Sequence, residues 1–205
     1  MHVAALPSLY LITPAWRDQA NDAPGAAGDA DFTPFLERLG DALGTGIGLV
    51  QLRAKSLDVA RYDALAAAVR DVCRGRATLI LNGPTPYGAD PPASDLRADG
   101  IHLSSARLMA CQRRPVAPSC LVSAACHTLA ELQQAARIGA DFVTLSPVLP
   151  TRTHPDAPPL GWERFAERAA ASPVPVYALG GMTRAHLARA QACGARGIAA
   201  ISGLW

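Results

Sequence analysis

Short apolar runs alternate with helix-like stretches along almost the whole chain, and this alternation is what most constrains the fold. Runs rich in β-branched residues are each followed by polar or amphipathic segments, an order typical of βα units around a parallel sheet. We therefore predict an α/β fold, a (β/α)8 barrel. The predicted strands are Leu9–Thr13, Leu49–Leu52, Thr78–Leu81, Gly100–Leu103, Leu121–Ala124, Phe142–Leu145, Val176–Leu179 and Ile198–Ile201.

The segments between these runs carry helix start and stop signals. Asp58, Thr128 and Thr183 precede helix-forming residues as N-caps, and Gly139 and Gly194 follow such residues as C-terminal caps. The predicted helices are Phe35–Gly44, Asp58–Arg74, Leu129–Ile138, Trp162–Ala171 and Arg184–Cys193.

The chain is short for a (β/α)8 barrel, and two of its segments look irregular. The chain has 205 residues, whereas the fold typically needs about 250. Residues 18–31 form a loop rich in Gly, Ala and Asp, and residues 84–94 carry four prolines where the helix after the third strand is expected. We expect one compact (β/α)8 barrel over residues 1–205, with that third helix shortened or missing.

Composition excludes several classes of partner. The net charge is +2 and aromatic residues make up 5%, so the sequence offers no basic, ring-rich face for nucleic acid. No apolar run approaches the ~18 residues of a membrane span, and no secretory leader pattern opens the chain. The five cysteines are scattered without metal-ligand spacing. We expect a cytoplasmic protein with reduced thiols that binds neither nucleic acid nor membrane.

Functional side chains of a parallel barrel gather where the strands end, because the βα loops build that face. Gln51, Arg53 and the sole lysine, Lys55, alternate onto one side of the second strand's end, and Asn82 follows the third strand. Two cations beside amides suit an anionic substrate. The alternative is that Arg53 and Lys55 only solvate a strand end.

Histidines and hydroxyls mark the ends of the fourth and sixth strands. A lone histidine such as His102, beside a buried strand, is more often a hydrogen-bonded core group than a catalyst. Thr151, Thr153 and His154 lie in a proline-rich loop after the sixth strand, which predicts a held-open ligand loop. The prolines of this loop also suit a connection that is merely stiff.

Small residues follow the last two strands. Gly180-Gly181 come after the seventh strand, and Ser202-Gly203 come after the eighth. Many barrels bind phosphate at this place through backbone N–H groups, and glycine lets the backbone approach the anion closely. The sequence therefore predicts a phosphate site between these two loops.

Six segments resemble the thiamine phosphate synthase/TenI family. They run in order over nearly the whole chain and are Leu9–Pro14, Val50–Lys55, Ala98–Leu103, Ser146–Thr151, Leu160–Gly161 and Ala178–Met182. The resemblance implies a (β/α)8 barrel of thiamine metabolism. The family's synthase branch joins a pyrimidine diphosphate to a thiazole phosphate with Mg²⁺ and releases pyrophosphate. Its TenI branch tautomerises a related thiazole phosphate.

The same resemblance assigns roles to particular residues. Gln51, Arg53, Lys55 and Asn82 match the positions that hold the pyrimidine diphosphate. The positions that match the thiazole-phosphate half are Thr151, Thr153, Gly180, Gly181, Ile201 and Ser202.

Five positions depart from the family pattern. Gly83 and Arg107 stand where the synthase carries metal-binding aspartates, which removes the oxygen ligands that Mg²⁺ requires. Ala125 stands where a serine helps the pyrophosphate to leave, and His154 where a lysine is expected. Pro147 stands where the TenI branch carries its histidine. We expect no cofactor, with Mg²⁺ needed only if synthase activity is retained.

The hypothesis we favour is an enzyme that binds thiazole phosphate or thiamine phosphate and performs metal-independent, tautomerase-like acid/base chemistry. In it, His154 or His102 moves the proton, and Arg53, Lys55 and Arg107 hold a second anionic or polar group. The alternatives are a true synthase with a rebuilt metal site and a non-catalytic barrel that senses a phosphate ligand or binds a partner. A sugar-phosphate epimerase or isomerase is disfavoured, because the strand ends offer almost no carboxylate.

The nearest resemblance within the family is to a synthase-like domain found C-terminal to some bacterial Nudix hydrolases. No Nudix motif occurs in the sequence. The resemblance rests on Ser105–Leu108, Cys126–His127, Ser146–Thr151, His154–Pro155, Leu160–Trp162 and Gly203–Trp205. We expect a free-standing version of this domain or a part of a longer protein. A Nudix hydrolase domain or protein is a candidate partner, and a homo-oligomer is compatible with the sequence.

Overall fold

Eight parallel strands close into a barrel in which β8 pairs back to β1. The structure is a computed structural model that describes residues 6–14, 32–54, 56–83, 98–151 and 158–205. The strands are β1 Leu9–Ile12, β2 Leu49–Arg53, β3 Thr78–Asn82, β4 Gly100–Leu103, β5 Leu121–Cys126, β6 Phe142–Leu145, β7 Val176–Leu179 and β8 Gly197–Ala200. The predicted (β/α)8 barrel is confirmed, and every predicted strand is present with ends within two residues of their predicted places.

Helices pack on the outside of this barrel. They are α1 Thr33–Gly44, α2 Val59–Cys73, α3 Ser105–Ala110, α4 Leu129–Arg137, α5 Gly161–Ala170 and α6 Leu187–Ala192. The predicted last helix begins as a 3-10 turn, Arg184–His186, ahead of α6. None of the helices described is both long and apolar enough to cross a bilayer.

Two of the sequence predictions concern segments that lie outside the described residues. One is the loop at 18–31, and the other is the shortened or missing helix after the third strand, at 84–94. Both stay predictions.

Polar side chains cap the helices that lead away from the strand ends. The Asp58 carboxylate accepts a hydrogen bond from a backbone N–H in the first turn of α2, and Thr128 forms a reciprocal capping box with Glu131 at α4. The Ser104 hydroxyl accepts from the Arg107 N–H and begins α3. Helix α3 was not predicted from the sequence, although Ser104 before a run of helix formers is the signal that indicates it.

Side-chain alternation along the strands divides the core in two. Outward-facing strand residues pack against the helices, whereas inward-facing residues fill the barrel. Inside, the rings of Tyr10, Phe142 and Tyr177 meet edge to face, with centroids 5.4 to 5.6 Å apart. We call these three rings the aromatic layer. Closer to the carboxyl ends of the strands, the inward positions include the buried polar residues Gln51, Asn82, His102 and Thr144 beside apolar Ile12 and Leu179. The aromatic layer therefore forms the floor beneath a mixed polar and apolar end of the barrel.

Glycine closes the barrel at the β1–β8 seam. A Cβ at Gly197 would lie 2.0 Å from the carbonyl oxygen of Ser8, whereas a Cβ at Gly40, in α1, would meet nothing within 4 Å. We expect Gly197→Ala to lower the free energy of unfolding by about 2 kcal/mol or more through overpacking. The control, Gly40→Ala in α1, should raise the free energy of unfolding by about 0.5 to 1 kcal/mol, because alanine is more stable than glycine inside a helix. Urea unfolding measures both, and equal effects would contradict the tight seam.

Candidate functional site

Five buried polar side chains form a hydrogen-bonded series across the barrel interior, which we call the polar chain. Asn82 Nδ2 donates to Gln51 Oε1 at 2.8 Å, and Gln51 Nε2 donates to the Tyr10 hydroxyl at 2.6 Å. The Tyr10 hydroxyl lies 3.4 Å from Ser123 Oγ, which lies 2.5 Å from His102 Nδ1. Each member is 5% exposed or less. The polar chain therefore holds two amides and an imidazole in fixed orientations above the aromatic layer.

Ser123 links Tyr10 to His102. The Tyr10 hydroxyl accepts from Gln51 Nε2, and either partner can be the donor in the Tyr10–Ser123 and Ser123–His102 contacts. Burial raises the pKa of Tyr10 to about 12, so its hydroxyl stays protonated at neutral pH. His102 is a hydrogen-bonded interior group, and its role in proton transfer stays a prediction.

The second strand carries a cation beyond the polar chain. Arg53 follows Gln51 by two positions on β2, lies in register with Asn82, and is partly buried. Its backbone N–H donates to the Thr13 hydroxyl at 3.0 Å. Across the described part of the chain, its guanidinium has no hydrogen-bond or ion-pair partner. An unpaired, partly buried cation at a strand end suits an anionic ligand.

A second cation reaches the end of the third strand. Arg107, the third residue of α3, donates from Nη1 to the Gly83 carbonyl oxygen at 3.1 Å. A Cβ at Gly83 would lie 2.2 Å from the ring of Tyr62, which is buried. Position 83 therefore has no room for an aspartate side chain while Tyr62 keeps its place.

These residues do not fit the Mg²⁺ that the family resemblance implies. A magnesium ion prefers oxygen ligands in octahedral order, and both expected carboxylates are replaced, by Gly83 and Arg107. The described ranges contain no group of three or more His, Cys, Asp or Glu side chains able to hold a metal. None of the described residues in the two positions after each strand is acidic.

Two glycines shape the loop after β7. Gly180 and Gly181 adopt positive φ angles of 98° and 68°. A Cβ at Gly180 would lie 2.8 Å from Pro147 Cα, and a Cβ at Gly181 would lie 2.8 Å from the Pro150 carbonyl oxygen. Only glycine therefore allows the loops after β6 and β7 to pack this closely.

The loop after β8 packs against the loop after β7. A Cβ at Gly203 would lie 2.1 Å from the Met182 carbonyl oxygen. Within the described ranges, no protein group accepts the backbone N–H of Gly181, Ser202 or Gly203. We call these three groups the N–H cradle. Unpaired N–H groups on two touching loops after β7 and β8 are suited to hold a phosphate.

Other predicted site residues are placed less centrally. Thr151 and Ile201 are partly buried beside these loops, and the Ile201 carbonyl accepts from the N–H groups of the last turn of the chain. Lys55, Thr153 and His154 lie outside the described residues. Their roles stay predictions.

Among the residues that the structure describes, two buried polar atoms at this end of the barrel interior have no hydrogen-bond partner. They are Asn82 Oδ1 and the Thr144 hydroxyl, which lies in register with Ala125 on the neighbouring strand. Unpaired buried acceptors are rare in folded proteins, so each is a candidate contact for a ligand or a water molecule.

The five cysteines are all free. Their redox state stays a prediction. Burial and the nearby Glu131 carboxylate raise the pKa of Cys126, at the end of β5, to about 12. The thiol is therefore protonated at neutral pH and is not a nucleophile.

Comparison with known proteins places this arrangement in a family. The family model described as thiamine monophosphate synthase matches residues 9–204. The chain belongs to this family. A protein of Aquifex aeolicus that carries a thiamine-phosphate synthase name is 34% identical over 198 residues, which span 96% of this chain and 97% of that protein. The thiamine-phosphate synthase of Methylobacillus flagellatus is 32% identical over 204 residues, spanning 98% and 88%.

The fold also matches a solved structure. The thiamine phosphate pyrophosphorylase of Pyrococcus furiosus superposes with a TM-score of 0.67 at 23% identity, over 95% of this chain and 85% of that chain. At this identity the match supports the barrel fold alone. The family membership rests on the sequence matches and agrees with the resemblance described above.

Three residues at or near the site were not singled out from the sequence: Tyr10, Ser123 and Tyr62. Tyr10 and Ser123 lie at inward positions of β1 and β5, and a polar residue at an inward position is the signal that could have found them. No pattern in the sequence points from Tyr62 to Gly83, because that contact arises only when α2 packs on the barrel.

Proposed function

We propose that this chain binds a thiazole phosphate or thiamine phosphate at the carboxyl end of its barrel and performs metal-independent, tautomerase-like acid/base chemistry on it. The observation that carries the proposal is the set of unpaired donors at that end: the N–H cradle on one side and the guanidinium of Arg53 on the other. The family membership supplies the class of ligand.

The phosphate of the ligand binds at the N–H cradle. Its three N–H groups have no protein acceptor in the described ranges, so a phosphate oxygen replaces water there without breaking a protein hydrogen bond. Gly180 and Gly181 keep this side free of side chains. The loops after β6 and β7 hold each other in place through the backbone hydrogen bond from Leu149 N–H to the Gly180 carbonyl.

The opposite side of the barrel mouth takes a second anionic or polar group. Arg53 and Arg107 supply positive charge, while Gln51 and Asn82 supply buried amides held by the polar chain. No acidic residue directly follows a strand in the described ranges, so these two cations keep their charge available to a ligand. Lys55 was predicted to add to this charge and lies outside the described residues.

The proton in this chemistry moves through an imidazole, which titrates near neutral pH. His102 is one described candidate, and Ser123 contacts its ring at Nδ1. Tyr10, with a pKa of about 12, stays protonated at neutral pH and is not the base. His154, the other predicted proton carrier, lies outside the described residues.

A second candidate is a true synthase with a rebuilt metal site. The names of the relatives favour it, as does the pair of arginines on the side that the family resemblance assigns to the pyrimidine diphosphate. In this candidate the guanidinium groups take over part of the charge that a metal ion neutralises. The third candidate, a non-catalytic phosphate-sensing barrel, shares the same ligand contacts.

We expect calorimetric titration to show binding of thiazole phosphate and thiamine phosphate with equal affinity in Mg²⁺ and in EDTA. Arg53→Gln should weaken binding of thiamine phosphate about tenfold or more, since a charge-assisted hydrogen bond is lost. The matched control is Arg70→Gln on the exposed surface of α2, where affinity should be unchanged. Absence of binding of either ligand to the wild-type chain would contradict the proposed ligand class.

Acid/base chemistry should be visible as exchange of carbon-bound protons of the thiazole phosphate with D2O, followed by NMR. We expect His102→Gln to slow this exchange about a hundredfold or more while leaving phosphate binding intact, because the N–H cradle is not altered. Thiamine phosphate formation from a pyrimidine diphosphate and the thiazole phosphate would establish the synthase instead. Ligand binding with neither exchange nor product would establish the sensing barrel.

A further inference from the structure

Three residues on three elements fill the place where the family resemblance puts a metal ion. Arg107 from α3 donates to the Gly83 carbonyl oxygen just after β3, and the Tyr62 ring from α2 occupies the space of a Cβ at position 83. Gly83 has no positive φ, so glycine is required here by space rather than by backbone conformation. The expected metal ligands are thus replaced by the Arg107 guanidinium, which the Gly83 carbonyl oxygen holds in place.

The guanidinium of Arg107 has N–H groups that are not used by its hydrogen bond to Gly83. Arginine carries five N–H donors, and the Gly83 carbonyl takes one of them. Within the described ranges no other group pairs with this side chain, and it is only partly buried. The hydrogen bond to Gly83 restricts the side chain, which lowers the entropy cost of binding an anion with the remaining donors.

Neighbouring groups favour an anion at this place. Asn82 precedes Gly83, and Arg53 lies in register with Asn82 on the adjacent strand, so two arginines flank one buried amide. The described ranges hold no group of three or more His, Cys, Asp or Glu side chains that could hold a metal ion at this place.

We propose that Arg107 is a built-in substitute for a metal ion, and that its guanidinium binds a phosphate or diphosphate group of the ligand directly. The N–H cradle holds one phosphate, and Arg107 with Arg53 forms a separate anion site across the barrel mouth. This inference rests on the proposed function for the identity of the whole ligand, but the anion site itself is testable with inorganic pyrophosphate alone.

Calorimetric titration with pyrophosphate tests the proposal. We expect the wild-type chain to bind pyrophosphate equally well in Mg²⁺ and in EDTA. Arg107→Gln keeps a donor for the Gly83 carbonyl and removes the charge, so affinity should fall about tenfold or more. The control Arg164→Gln, on the exposed surface of α5, should leave affinity unchanged. Binding that requires Mg²⁺, or equal affinity in the wild-type chain and Arg107→Gln, overturns the proposal.

Arg107→Lys separates charge from general disruption of the site. Lysine keeps the charge but lacks the planar fork, so we expect pyrophosphate affinity between those of the wild-type chain and Arg107→Gln. Affinity as low as that of Arg107→Gln would contradict a role for the charge. Thermal unfolding of each variant shows that it is folded before titration.

The two proposals fail in different ways. Thiazole phosphate should bind Arg107→Gln as well as it binds the wild-type chain, because the N–H cradle is on the other side of the mouth. Pyrophosphate binding that depends on Arg107, without thiazole phosphate binding, would support the anion site and contradict the proposed function. Thiazole phosphate binding without any pyrophosphate binding would overturn the anion site alone.

Discussion

The hydrogen bond from Gln51 Nε2 to the Tyr10 hydroxyl links the polar chain to the aromatic layer inside this barrel. A closed eight-stranded barrel encloses a space that its own side chains must fill, and here the Tyr10 ring fills it together with Phe142 and Tyr177. The hydroxyl of the same residue lies at the centre of the polar chain. One side chain thus sets both the floor of the site and the orientation of the groups above it.

That arrangement determines which polar groups at the carboxyl end of the barrel remain available to a ligand. Buried polar groups must find partners, and the polar chain satisfies most of them internally, so Asn82 Oδ1 and the Thr144 hydroxyl stand out as unpaired. Above the polar chain, the strand ends carry arginine and glycine in place of carboxylates. Within the described residues, this end of the barrel therefore offers hydrogen-bond donors and positive charge, and no group of three or more side chains that could hold a divalent ion. This combination separates the chain from the synthase pattern of its own family.

Much of this was predictable from the sequence, because the signals are local. Alternating apolar runs defined the strands, and Asp58 and Thr128 marked helix starts that the structure confirms. Gly180 and Gly181 were predicted from their position after a strand, and the structure adds the close packing that requires them. Arg53 was singled out in the same way; the structure places it partly buried at the end of β2, and its role stays a prediction.

What escaped prediction depends on contacts between distant elements. The Tyr62 ring meets Gly83 only through packing of α2 on the barrel, and the Arg107 guanidinium meets the Gly83 carbonyl only through its reach from α3 to β3. The loss of both carboxylates was evident from the sequence, whereas the residues that fill their place were not. Ser123 was missed because a single serine in an apolar strand carries no motif, although its inward position places it against His102.

The central claim is that this barrel binds its phosphate ligand without a metal ion, and a crystal structure grown with thiamine phosphate and Mn²⁺ tests it most directly. Anomalous diffraction locates manganese independently of the protein coordinates. The account predicts a phosphate on the N–H cradle, the Arg107 guanidinium still on the Gly83 carbonyl, and no manganese peak beside Gly83. A manganese ion bridging the ligand and the end of β3, with Arg107 displaced, would contradict it.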